Sequence, residues 1–350
     1  MNNDWKNYLL SKGANFTEDG GFQFNDESDS NKKAEDSDII CDISQFSTLV
    51  VAGGDAKEFM QGQFTNDAEH VDDDNSQLSA FCNNKGRMTA NFRLFKNQQN
   101  YFFSVKNSLV DESIQHLQNY ILRAQVAIQD VSEQLIHLGI SGGNAEKLLS
   151  PFIEISNNDV DGTSSNENYI VIRAADPLNS IPRYEVFCSF EHAKALWETI
   201  STQAETVNSS SWDYLNIQAG LPFIDNHTSE EFVPQMVNMD LINGVSFTKG
   251  CFTGQEIIAR MHYLGKLKKR CFKVHIASEK RPAAGDKLFA ENAKAGQNTG
   301  MIIQAEKNPE SGYDALAVIQ IADTESNLFL GDADGPVVTV KELPYSFNNE

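Results

Sequence analysis

Lys249-Gly250-Cys251-Phe252-Thr253-Gly254-Gln255-Glu256 sets a thiol just ahead of a helix start, and Ile257-Ile258-Ala259-Arg260 carries the helix on. Thr253-x-x-Glu256 has the form of a capping box, in which hydroxyl and carboxylate satisfy free backbone N–H groups reciprocally. The pattern predicts Thr253 as N-cap, with Phe252 and Ile257 packing as a hydrophobic staple. Ile257, Ile258, Met261 and Leu264 fall on one helix face, predicted to be buried. Arg260 follows Glu256 by one turn and is placed to pair with it. Cys251 then lies two residues before the cap. Free N–H groups and the helix dipole favour an anion there, and Lys249 adds a positive charge, so a thiolate is favoured. Between residues 249 and 273 there are seven Lys/Arg against one acid, Glu256. Residue chemistry alone also accommodates a plainer reading, a small residue in a tight turn beside a solvated basic face. A hydrolase built on Cys251 is less favoured, since no histidine is marked as its base.

This basic stretch sits in a chain of 350 residues with a formal net charge of −21. That length predicts two or three domains. The acidity argues against a general nucleic-acid coat or an anionic membrane surface as partner. No run of 18 apolar residues marks a membrane span, and residues 1–16 lack the apolar core of a secretory signal. The five cysteines, Cys41, Cys82, Cys188, Cys251 and Cys271, include no C-x-x-C pair. A disulfide framework and a zinc ribbon are therefore not expected, and a reducing, cytoplasmic compartment is. The seven histidines are scattered, and no metal site is legible.

Four segments are predicted. Residues 1–38 are polar and acidic and are expected to be flexible. Residues 39–130 read as a first α+β unit: a strand at 48–52, a short helix after Asp55, a hairpin through Asn83-Asn84-Lys85-Gly86, then strand, helix and strand. Residues 131–265 repeat that order more loosely and end in the Cys251 helix. Residues 266–350 give short strands broken by Gly, Pro and Asn, as in a small antiparallel β-barrel. On the strand 88–95, Asn91 and Arg93 lie opposite the apolar set Met88, Ala90, Phe92 and Leu94, facing a cavity or water.

The string K-G-C-F-T-G-Q-E with A-R and the later K-R resembles the signature of the YgfZ family, which is related to the glycine-cleavage T-protein. Other strings resemble the family's in the same order. They are Gln61-Gly62-Gln63-Phe64-Thr65-Asn66-Asp67, Lys85-Gly86-Arg87-Met88, Ala219-Gly220-Leu221-Pro222, Phe232-Val233-Pro234-Gln235 and Gly244-Val245-Ser246-Phe247. The resemblance covers roughly residues 40–345.

The resemblance implies a T-protein-like α+β arrangement of three domains: two α/β sheet units around a central hole for tetrahydrofolate or a derivative, plus a C-terminal antiparallel β-barrel. It implies an accessory protein, rather than a classical turnover enzyme, acting in iron–sulfur cluster assembly or repair and through it in tRNA modification. A link to regulation of replication initiation comes with the family. Cys251 would be the functional thiol, with Lys249 and Arg260 beside it in the signature. The aromatic positions associated with folate fall on Trp212 and on Phe46, where the family carries a second tryptophan; Asn91 and Arg93 are weaker candidates. The implied partners are folate and iron–sulfur enzymes, including tRNA-modifying ones. Direct tRNA binding through the strip 266–273 is not expected. A rival reading is a folate-dependent aminomethyl- or methyltransferase. Against it, Ala90-Asn91 stands where T-proteins carry an acidic pair, which removes carboxylate help for group transfer.

Overall fold

Trp5, Tyr8 and Leu9 recur at i, i+3 and i+4, the spacing of one helix face. In the computed structural model, which describes residues 1–177, 181–291, 297–332 and 334–347, that face is docked. The helix Asn3–Ser11 is capped by the Asn2 side chain and buries Trp5 and Leu9 completely. Trp5 Nε1 donates to Asp42 Oδ2 at 2.7 Å, and its ring meets Trp197 edge-on at 5.6 Å. A second helix, Glu27–Asp36, is capped by Asp26. The expectation of a flexible segment at 1–38 is thus corrected. A polar average conceals three anchors, Trp5, Leu9 and Phe22, and an aromatic side chain buries enough apolar surface to order a short segment.

The chain divides into two units. The first comprises Met1–Gln61, Asp67–Gln77 and Phe92–Asp213; the second comprises Gly62–Asn66, Leu78–Asn91 and Tyr214–Glu350. Within the first unit a six-stranded sheet runs in the order 163–165, 169–174, 183–188, 136–141, 39–42, 205–206. Its pairings are antiparallel except the last, Glu205–Thr206 on Ile39–Asp42. The strand Ile39–Asp42 therefore belongs to the same sheet as strands beyond residue 131, and the boundary in sequence is not a boundary in sheet membership. All four of its residues are buried, as fits an interior strand. The core on this sheet joins Ile40, Leu138, Ile140 and Val186 to Leu196, Trp197 and Ile200 of the helix Phe190–Ile200.

A five-stranded sheet has the order 76–82, 88–97, 100–106, 46–52, 127–130. In the second unit a closed barrel of six strands runs 269–276, 313–320, 300–307, 287–290, 328–330, 337–341. Pairing of Val337–Lys341 back onto Lys269–Ile276 closes it and leaves no free edge. Val274 and Ile276, Ala315 and Ala317, and Leu288 and Ala290 fill its interior at the period-two spacing of a strand. The expected α+β class and C-terminal antiparallel barrel are both present. Among the described residues no helix is long and apolar enough to cross a membrane.

Candidate functional site

Four of the strings described above converge within the second unit around the loop that carries Cys251. The hub is Lys249. Its side chain is buried, and Nζ donates to the carbonyl oxygens of Phe64 at 2.7 Å and Asn66 at 2.8 Å. The same ammonium lies 5.1 Å from the Phe252 ring centre. Thr65 is a second tie: its hydroxyl donates to Gly244 O at 2.8 Å and accepts from Ala80 N at 3.0 Å, while Ser246 N donates to Thr65 O at 3.0 Å. Lys249, expected as a positive charge near the thiol, is thus also tied into the structure through its ammonium. A buried ammonium needs acceptors, and backbone carbonyls supply them.

The helix beyond Cys251 starts differently from the capping-box expectation. It runs Gln255–Leu264, and the N-cap is Gly254 at φ +84°, with no side-chain cap bond. Thr253 is turned to Gln63, its hydroxyl donating to Oε1 at 3.2 Å, while its N–H donates to Gly62 O at 3.3 Å. The reason is close backbone approach. A Cβ on Gly254 would lie 2.6 Å from Asn83 O and 3.0 Å from Gly86 Cα. A Cβ on Gly86, itself at φ +69°, would meet Ile257 Cβ at 2.9 Å. Two glycines thus let the hairpin turn seat against the helix start. Gly254→Ala is expected to cost at least about 1–2 kcal/mol from the left-handed backbone alone, with the steric contact added. Urea unfolding measures it, and an unchanged midpoint would mean that the turn relaxes freely.

Of the expected apolar face only Ile258 is buried, and Leu264 is 84% exposed. Ile258 O accepts from Gln235 Nε2 at 2.7 Å, which brings the Phe232–Gln235 string to the same helix. Arg260 and Glu256 are both exposed, where a pair of this kind contributes little. The basic strip is also not one surface. Lys266 and Lys268 are exposed, Arg270 is buried against Asp240 at 2.6 Å, and Lys273 Nζ donates to Gln218 at 3.2 Å.

Cys251 is the exposed one of the five cysteines. Burial pushes Cys188 up to about 12 and holds Cys41, Cys82 and Cys271 well above the ordinary thiol value. Four thiols are thereby kept inert, and the accessible one sits on a loop braced by Lys249 and Thr253.

The positions expected to hold folate each have structural partners. In the first unit Trp212 is 1% exposed. Its ring lies against Gly139, where an added Cβ would sit 2.5 Å from Cε3, and Arg183 stacks over it at 5.0 Å. Phe46 is buried with Lys106 Nζ 4.3 Å above its ring, and that ammonium also bonds Asp213 Oδ1 at 2.7 Å. Arg93 does not face water: it is 2% exposed and held by Ser76, Asp161 and Glu185. In the second unit Asn91 Nδ2 donates to Pro222 O at 2.7 Å, and Asn91 Oδ1 accepts from Ile224 N at 2.9 Å.

Residues 11–249 match the GCVT N-terminal domain family. Among curated relatives, the tRNA-modifying protein YgfZ of Photorhabdus laumondii is 30% identical over 315 residues, covering 89% of this chain and 93% of the relative. The protein of the same name from Yersinia enterocolitica is 29% identical over 315 residues, with the same coverage. This chain belongs to the GCVT domain family, alongside the YgfZ proteins. The glycine cleavage system aminomethyltransferase T from Bartonella henselae superposes with a TM-score of 0.78 at 16% identity, covering 97% of this chain and 96% of that one, a likeness of fold.

The YgfZ-like strings owe their spacing to the contacts above. Met88 N donates to Phe232 O at 2.8 Å, and the Arg87 guanidinium donates to Glu231 O, so the hairpin and the Phe232–Gln235 string are tied as well. The sequence marks Cys251 but carries no local sign of the hub role of Lys249 or of the burial of Arg93. For Arg93 a signal exists: Glu185 interrupts the otherwise apolar run Tyr184 to Cys188, and a lone acid in a buried strand requires a cation.

Proposed function

We propose that this YgfZ-like protein acts in the cytoplasm as an accessory factor in tRNA modification, with the Cys251 thiol as its working group. The clients proposed are iron–sulfur enzymes, the tRNA-modifying ones included, and the scaffold is proposed to bind tetrahydrofolate or a derivative. The observation that carries the reading is the contrast among the cysteines: one exposed thiol on a braced loop, four sealed in cores. A nucleophile or ligand needs access together with a fixed position, and that loop has both. The tRNA connection rests on the name borne by the curated relatives. The folate connection rests on family membership, and no side chain is assigned to it. A T-protein-type transferase is less favoured, because Asn91 donates to Pro222 O and a carboxylate there could not.

Two experiments test this. A thiol reagent should titrate one group in the folded protein and five after unfolding. In a strain lacking the endogenous protein, Cys251→Ala should fold normally yet leave tRNA thiolation and iron–sulfur enzyme activity at the level of the deletion. Full complementation would remove Cys251 from the function. Calorimetric titration with reduced folates tests the scaffold separately, and no heat with any of them would remove folate.

A further inference from the structure

Within the second unit a cavity of about 380 Å³ opens between the hairpin turn and the barrel. Three cations from distant parts of the sequence line it: Arg87 from the hairpin, Lys269 at the start of the first barrel strand, and Lys287 at the start of the second. One acid, the exposed Glu231, stands beside them. All three cations are half-buried. Arg87 spends one N–H on the Glu231 carbonyl, while neither lysine ammonium has a hydrogen bond or ion pair among the described residues. Burial, then Lys287 and Arg87, lower Lys269 below the ordinary lysine value, and Glu231 offsets only part of this.

Clustering like charges without acceptors is unfavourable in any protein. In one carrying −21 overall it is not a by-product of composition. Such an arrangement is stabilised when an anion enters. A guanidinium fork with two ammonium groups matches the oxygens of a phosphate better than a single carboxylate. The rest of the wall is largely apolar, with Phe232, Met301 and Val318 among its residues, which suits an organic body attached to that anion. The volume falls at the lower end of small-molecule pockets.

We propose that this pocket binds a phosphate monoester, its phosphate held by Arg87, Lys269 and Lys287 and its organic part by the apolar wall. The site is separate from the Cys251 loop reading and does not depend on it.

The test is calorimetric titration of the full chain at low salt with phenyl phosphate, inorganic phosphate and benzoate. Phenyl phosphate should bind saturably and more tightly than inorganic phosphate, with benzoate weaker than both. Lys269→Gln and Lys287→Gln should each weaken phenyl phosphate about tenfold or more, the loss of one charged hydrogen bond. Each should melt no lower than the parent, because a repulsion is removed. Lys268→Gln, an exposed neighbour, should bind like the parent. No saturable binding, equal binding of benzoate, or binding unchanged in both lysine variants would overturn the proposal.

Discussion

Arg93→Met should lower the free energy of unfolding by about 3–5 kcal/mol, the cost typical of removing one partner from a buried ionic group. Arg93 lies within the first unit, bonded to Asp161 and to Ser76 Oγ at 3.3 Å, with Glu185 Oε1 3.6 Å from its Nε. His137 Nε2 approaches the other Glu185 oxygen at 3.3 Å. Neither Arg93 Nε nor His137 Nε2 forms a hydrogen bond there, so Glu185 is held by charge attraction more than by directed bonds. Without the guanidinium, Glu185 stays buried and loses the strongest of its charge partners, with His137 and Arg183 left beside it. The double variant Arg93→Met/Glu185→Gln should recover part of the loss, because the stranded carboxylate is then neutral. Guanidinium or urea unfolding measures both. Equal stability of Arg93→Met and the parent would mean that the network is dispensable.

The same group sets an acid limb. Burial by itself would raise Glu185, but Arg93, and after it His137, outweigh burial and hold the carboxyl at about 2 against an ordinary 4.5. A folded value below the unfolded one contributes stability above the unfolded value, lost as pH falls through the folded value. The loss should therefore spread from about pH 4.5 down to about 2. In Arg93→Met that window should move upward, a shift visible in the pH dependence of the unfolding midpoint.

Lys249→Met should cost about 3 kcal/mol, the sum of two modest charged hydrogen bonds, and should loosen the Cys251 loop. The Phe64 and Asn66 carbonyls would be left beside an apolar side chain. Lys249→Arg is not expected to rescue, because a planar fork cannot replace a compact ammonium aimed at two carbonyls from one atom. Amide hydrogen exchange should quicken across 62–66 and 244–254 while the barrel strands 269–276 and 313–320 keep their protection. Unchanged exchange in the first two segments would show that Lys249 does not hold them together.

These two cations mark where reading along the chain loses power. Arg93 was legible as a polar side chain on an alternating strand, but its direction, toward water or toward Glu185, depends on the strand Arg183–Cys188, ninety residues away in sequence. Lys249 was legible as a charge near a thiol. Its acceptors are carbonyls, which carry no residue identity and leave no trace in composition. Local pattern points Thr253 to its own helix, and the local rule loses to a tertiary partner, Gln63. The helix face 257–264 follows from periodicity alone, and periodicity does not say whether anything packs against it.

What the chain by itself determined is the class of fold and the short strings that define the family: strand alternation, glycines where backbones meet, and a thiol before a helix. Those properties depend on neighbours within a few residues or on residue identity kept in order. What only the tertiary structure decided is which side chains are sealed. Burial made one cysteine of five accessible, turned Lys249 into a brace, and covered Trp212 and Phe46. Side-chain access is set by segments that meet after long excursions of the chain, and local sequence holds no record of those meetings.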